Sequence, residues 1–443
     1  MTKKRMNVAW IATLLLLAAC SGPGASPSAS PSAAASEPEA SPTALFDVED
    51  GAEITFWTFW LSPTFDEFIE DTIASFEAEY PGVTVTREDH QATFLEDYRL
   101  VAGSANQPDV ANLSNNEGWV REFAEAGHLL NLTENLPQEV QDLYFPGLFN
   151  DSLVDGASYQ VPWYQAIPVE IVNTAIFEEA GLSVDDFPGT WDEIPALCQT
   201  IFDETGKLCD IRLTVSDYLA QMTYEGGVDV MNEDGTEFTF DSAEAVDWLQ
   251  VYVDMVAAGI VDRAALTTGD DRVALELFTS GQAPFYQTGP QLIREVKESN
   301  PDLYANLAIA PFPIGRSGVI APTSQGIAVK ADTEFPQASM ALAAWFTNAE
   351  NQVAFGKLAP VYPSVPAAYD DPFFAEEPEL IEDSARPLAF DLISAQENIL
   401  PSIPNKVDVN EIVRRAVEAA LFDGADPQQA LSDAVTEANA LLE

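Results

Sequence analysis

Apolar and polar positions change their spacing several times along this chain. Glu53-Ile54-Thr55-Phe56-Trp57-Thr58-Phe59-Trp60 is dense in β-branched and aromatic residues and predicts a buried strand. From Phe65 to Tyr80 the apolar residues fall at Phe65, Phe68, Ile69, Ile73 and Phe76, the spacing of one helix face. Pro81-Gly82 makes a turn, residues 83–86 a second strand, residues 94–102 a second helix and residues 108–113 a third strand. Strand alternating with helix predicts βαβ units, and so an α/β protein with mainly parallel sheets flanked by helices on both faces.

Two N-terminal stretches depart from this pattern. Lys3, Lys4 and Arg5 precede an apolar run, residues 8–17, too short for a bilayer span of roughly 20 residues. The run ends in Leu17-Ala18-Ala19-Cys20, which matches the bacterial lipobox. That match implies a signal peptide over 1–19, cleavage before Cys20, and lipid on its thiol. Residues 20–45 follow as a Ser/Pro/Ala linker without apolar periodicity, too poor in apolar surface to fold and extended by its prolines. The expectation is a protein tethered by lipid to the extracellular face of a cell membrane. No later stretch holds 18 uncharged apolar residues in a row, so no second span is expected.

The remaining 400 or so residues suffice for two domains, and 47% apolar content supports large cores. Nineteen basic residues stand against 72 acidic ones, a formal net of −53. Such a surface repels nucleic acid and anionic lipid, and reads best as a solvated acidic exterior rather than a calcium or basic-partner site. Besides Cys20 the only cysteines are Cys198 and Cys209. Residues 190–202 look helical and 204–207 look like the turn after them. A disulfide would tie that helix to a following strand, with two buried thiols as the alternative.

An ordered series of short motifs then emerges. Phe76-Glu77 and Tyr80-Pro81-Gly82-Val83-Thr84-Val85 are followed by Gln107-Pro108-Asp109-Val110, Trp119, Ala126-Gly127-His128-Leu129 and Val161-Pro162-Trp163. Next come Asn173 through Leu182, Thr190-Trp191-Asp192-Glu193-Ile194, Phe278 through Phe285, Thr288-Gly289-Pro290 and Ser324 through Val329. The tail carries Asp423-Gly424-Ala425 and Ala430-Leu431. Over residues 50–443 this set resembles the family-one extracellular solute-binding proteins of bacterial ABC transporters, of the maltose and multiple-sugar type. Val172 and Gln291 depart from the family, which often has an aromatic before the asparagine and a tryptophan after Gly-Pro.

The resemblance implies a two-lobed type II periplasmic-binding-protein fold that closes on its ligand. Lobe one would comprise 46–164 and 318–365, lobe two 165–317 and 366–443, with crossings near 162–168, 311–322 and 360–366. It implies a monomeric receptor, with no enzymatic activity and no cofactor, that delivers a small solute, a mono- or oligosaccharide, to ABC permease subunits.

A sugar offers apolar C–H faces and a rim of hydroxyls, so flat aromatic rings, amides and carboxylates suit it. Ligand crevices in α/β sheets open at the C-terminal ends of strands. The candidates are therefore Trp57 and Trp60 after the first strand, Asn115 and Asn116 after the third, and Trp163 and Tyr164 at the first crossing. Tyr224 and Glu225 before Gly226-Gly227, Gln287 beside Gly289, and Ser324 and Gln325 in a glycine turn complete them. One of Trp57 and Trp60 is equally a core residue, the asparagines equally turn residues, and Trp191, Trp248 and Trp345 sit on helical patterns as core.

Catalytic sets are missing. His90 and His128 are the only histidines, and HExxH, GxxxxGK[ST] and GxSxG patterns are absent. No metal site is expected: Asn232-Glu233-Asp234-Gly235 resembles part of a calcium loop, but with Val230 in the first ligand position it reads as a hairpin turn. The rival expectations are a receptor of the same fold for a non-sugar solute and a surface-anchored glycoside hydrolase.

Overall fold

The structure, a computed structural model, describes residues 45–114, 118–151, 153–267, 271–289 and 292–442. The signal-peptide and linker expectations, Cys20 included, lie outside these residues. The strands are β1 (Glu53–Phe59), β2 (Thr84–His90), β3 (Val110–Ser114), β4 (Gln160–Gln165), β5 (Val169–Asn173), β6 (Phe285–Thr288), β7 (Leu307–Pro311), β8 (Ser324–Val329) and β9 (Tyr362–Pro363). Six make one sheet, in the order β2-β1-β3-β8-β4-β9, and three make another, in the order β6-β5-β7.

β1 pairs in parallel with β2 and β3, with helices Asp66–Glu79 and Phe94–Val101 as the crossovers. All other pairs are antiparallel. The expectation of mainly parallel sheets is thus corrected to mixed and antiparallel ones. The reason lies in the path of the chain. β4 leaves the large sheet at one edge toward β5, and β8 re-enters at that same edge after β7, so β8 must run against β3 and β4.

Alternation along the strands sorts residues between cores. Ile54, Phe56, Val110, Val161, Trp163 and Ile327 face helix Pro336–Phe346 in a core that continues through Val169, Ile171, Phe278 and Ile293 of the smaller sheet and its helices. Phe94, Tyr98, Trp119 and Phe123 cover Ala111 and Leu113 on the opposite face. A further core joins helices Ile194–Thr205, Tyr218–Gly226, Ala243–Ala258 and Lys406–Phe422, and holds Trp248, with Trp191 packed at its border. Capping sets the helix limits: Ser242 accepts the Ala245 N–H, and Gly259, at φ +71°, stops the same helix in the left-handed conformation that glycine adopts without a Cβ clash.

Cys198, within helix Ile194–Thr205, is bonded to Cys209, with Cα atoms 5.7 Å apart. Cys209 makes only a single bridge to Val261 rather than lying on a strand. Residues 232–235 do form a turn: the Asn232 N–H donates to Glu237 O at 2.9 Å, and Met231 bridges Phe238. Among the described residues no helix is long and apolar enough to cross a membrane.

Candidate ligand-binding site

Strand register brings chemically useful residues to a common rim. Ser114 at the end of β3 lies opposite Gln325, and Gln165 at the end of β4 lies opposite both Ser324 and Tyr362. Phe59 and His90 end β1 and β2 along the same edge. In the smaller sheet Val169, the first residue of β5, pairs with Thr288 and Pro311, the last residues of β6 and β7. Residues 166–168 alone join Gln165 to Val169, a link of about 14 Å at full stretch. The two rims therefore adjoin.

The aromatic candidates divide sharply. Trp60, just past β1, is 61% exposed. Its φ of +58° is left-handed, which is unusual for a bulky residue and persists only where neighbours enforce it. Trp57 is half-buried, its ring 4.0 Å from that of His90 and edge-on to Phe94 and Tyr98, so it is mostly a packing residue. Trp163 is corrected from a candidate ligand contact to core: it is 0% exposed and packs on Phe355 and Phe346. A bulge between Pro162 and Tyr164 turns both Trp163 and Tyr164 toward the same core face, which simple alternation from sequence would not anticipate. Tyr164 stays half-buried, and burial, then the negative charge of Asp89, pushes its hydroxyl pKa up.

The polar candidates divide too. Asn115 and Asn116 lie outside the described residues. Ser324 opens β8 on the rim. Gln325 donates to Ser114 Oγ at 3.3 Å and leaves its carbonyl oxygen with no hydrogen-bond partner among the described residues. Gln287 is exposed on β6, directly across from Glu170. Tyr224 is engaged elsewhere, its hydroxyl donating to Asn398 Oδ1 and accepting from the Ile399 N–H, and burial lifts it to about 12. Glu225 is corrected from a candidate hydroxyl acceptor to a structural carboxyl. It accepts Trp248 Nε1 at 2.7 Å, the Tyr252 hydroxyl at 2.5 Å and Gln221 Nε2 at 2.9 Å, and burial raises it to about 7 despite these donors. The 315–316 turn packs on its backbone, so close that a Cβ on Gly315 would lie 2.3 Å from Tyr224 O.

Sequence reasoning passed over four residues that the fold gathers here. Gln165 is fully buried at the rim with both amide atoms lacking partners among the described residues. Glu170 is 3% exposed, one residue in from the rim, with Oε2 likewise unpartnered. Burial raises Glu170 to about 8, against the pull of Arg212 and with the push of Asp210. Arg212 lies 4.4 Å over the Tyr286 ring and donates to Gln287 O at 3.0 Å. Asp89, beside Trp60, is the fourth. A signal for Glu170 was present, a lone carboxylate inside the apolar run Val169-Glu170-Ile171-Val172. None existed for Gln165.

An exposed ring on one rim with buried amides and a carboxyl nearby suits a ligand that is flat and apolar on one face and hydroxylated at its edge.

The chain is 22% identical over 389 residues to the galactooligosaccharide-binding protein of Bacillus subtilis, covering 84% of this chain and 85% of that one. It is 25% identical over 295 residues to the arabinooligosaccharide-binding protein of Halalkalibacterium halodurans, covering 61% of each. The crystal structure of the cyclic alpha-maltosyl-1,6-maltose binding protein from Arthrobacter globiformis superposes with a TM-score of 0.69 at 22% identity, over 88% of this chain and 99% of that one. The fold is thus the two-lobed, type II periplasmic-binding-protein architecture. Residues 60–353 match the family model for bacterial extracellular solute-binding proteins, and the chain belongs to that family.

Proposed function

We propose that this protein captures a sugar or short oligosaccharide between its lobes and delivers it to an ABC permease driven by a separate ATPase. The lobes are taken as 46–164 with 318–365 and 165–317 with 366–443. Trp60 carries the reading: a large ring held exposed at the rim is costly to leave in water and suits the C–H face of a pyranose. Gln165 and Gln325 on the rim of the larger sheet and Glu170 and Gln287 on that of the smaller sheet supply amides and a carboxyl for hydroxyls. A ligand bridging both rims stabilises the closed arrangement of the lobes by its differential contacts. The names of relatives, which bind arabino- and galactooligosaccharides, support a carbohydrate ligand. Cys20, acylated with palmitate or a similar chain, holds this receptor, a monomer, on the extracellular face of the membrane.

The test is a panel of maltotriose, arabinotriose, galactobiose, amino acids and polyamines, read by thermal shift and tryptophan fluorescence on residues 45–443. At least one sugar should raise the melting temperature, since a ligand that binds the folded state stabilises it by mass action. A shift with an amino acid or polyamine and with no sugar overturns the carbohydrate part. For the anchor, labelled palmitate should enter the full chain but not Cys20→Ser, and that variant should appear in the medium.

A further inference from the structure

Asp89 sits one residue from the end of β2. Its side chain is only 5% exposed. A buried carboxylate needs donors on most of its lone pairs, and five reach this one. Oδ1 accepts the Thr58 hydroxyl at 2.7 Å, the Leu61 N–H at 3.2 Å and Arg87 Nη2 at 3.1 Å. Oδ2 accepts the Ser62 N–H at 3.3 Å and Gln91 Nε2 at 2.7 Å.

Two of these donors are the backbone amides that directly follow Trp60. Successive N–H groups converge on one anion where a turn aims them the same way. Trp60 opens this turn in the left-handed region, at φ +58°. Its own N–H donates to His90 O at 3.0 Å, so β2 grips the turn on both sides of the indole. Arg87 braces the same turn, donating to Thr58 Oγ1, Ser62 Oγ and Asp66 while it meets Asp89.

We propose that Asp89 is a positioning residue for ligand recognition: its carboxylate enforces the left-handed turn that presents the Trp60 ring to the cleft. The proposal rests on Trp60 as the sugar-stacking ring. Asp89 acts through Trp60 and does not itself touch ligand. A merely structural Asp89 would tie β1 to β2 and leave the indole's orientation unaffected when replaced.

The experiment labels the protein with 5-fluorotryptophan and identifies the Trp60 fluorine line as the one lost in Trp60→Phe. Asp89→Asn, which keeps the volume and removes the charge, should shift that line and change its quenching by acrylamide, with the other indole lines in place. Glu88→Gln, at the exposed neighbouring position, should change nothing. If Asp89→Asn does not fold, Thr58→Val removes the 2.7 Å donor to the carboxylate, together with the acceptor of Arg87 Nε, and should move the same line by a smaller amount. A Trp60 line unmoved in the folded variant, or in Thr58→Val if that is the one measured, overturns the proposal.

A binding cycle with the panel sugar giving the largest thermal shift separates the two claims. Asp89→Asn should weaken that sugar about tenfold in the wild-type background and not at all in a Trp60→Ala background. Equal weakening in both backgrounds also overturns the proposal. If Trp60→Ala leaves the binding of every panel sugar unchanged, the stacking role of Trp60 fails, while the fluorine line still decides what Asp89 does to the turn.

Discussion

The indole of Trp163 lies over the ring of Phe355, with centroids 5.5 Å apart and planes 24° from parallel, and none of it reaches solvent. Trp60, on the same sheet, is 61% exposed and held in a left-handed turn. The two tryptophans should therefore fail in opposite ways. Trp163→Ala should cost about 3–5 kcal/mol in urea unfolding, because it empties a large site in a packed core. Trp60→Ala should change stability by about 0.5 kcal/mol or less, as exposed substitutions do, yet remove most of the fluorescence response to sugar. If Trp60→Ala proves the more destabilising of the two, the assignment of platform and core is reversed.

How much of this was readable in the chain depends on the distance over which each feature is determined. The β1–β2–β3 unit was legible because its strands and helices alternate within residues 53–114, each with its own period. The direction of β8 was not, since it follows from a return path through the other sheet some 200 residues later in the chain. Trp60 and Trp163 look alike in sequence, each aromatic at the end of a strand. Only the bulge at Pro162/Tyr164 and the carboxylate of Asp89 send one inward and one outward. Glu225 fails as a ligand group for a similar reason: its partners Trp248 and Tyr252 come from another helix, and sequence spacing does not reveal that pairing.

The Cys198–Cys209 bond closes a short loop, with a sequence separation of 11. In the chain-entropy model such a crosslink stabilises by about 3 kcal/mol, acting mainly on the unfolded chain. Reduction, or Cys198→Ser with Cys209→Ser, should lower the unfolding free energy by about that amount. Sugar affinity should remain, because both sulfurs are buried in the helical core. Equal unfolding midpoints for the oxidised and reduced protein would remove the bond from the list of stabilising features.

Gly315 and Gly189 make a matched pair. A Cβ at 315 would stand 2.3 Å from Tyr224 O and 2.5 Å from Glu225 Cα, both backbone atoms, whereas one at 189 meets nothing within 4 Å. Gly315→Ala should cost about 1–3 kcal/mol by forcing the 315–316 turn off helix Tyr218–Gly226. Gly189→Ala should be close to neutral or slightly stabilising. Thermal melts of the two variants decide this, and similar values for both would mean that the close approach at 315 relaxes without cost.

The last expectation concerns pH, and its sign runs opposite to that of a paired surface carboxylate. Burial raises Glu170 from 4.5 to about 8 and Glu225 from 4.5 to about 7. Between about pH 4.5 and these values the folded chain keeps protons that the unfolded chain has released, so stability falls as pH rises. The contribution is complete below about pH 4.5 and is lost as pH climbs through 7 and then 8. For Glu170 it is on the order of a few kcal/mol. Carboxylates held low by donors, such as Asp66 beside Ser62 and Arg87, act only at the acid end, where protonation destabilises. Unfolding free energy measured with urea should therefore decline from pH 5 to pH 8. Glu170→Gln, which keeps a neutral side chain of the same shape among Arg212, Asp210 and Gln287, should flatten part of that decline. The variant should match wild type near pH 5 and exceed it near pH 8. Parallel wild-type and Glu170→Gln curves across this range would show that Glu170 is ionised at neutral pH and that water or Arg212 compensates its burial.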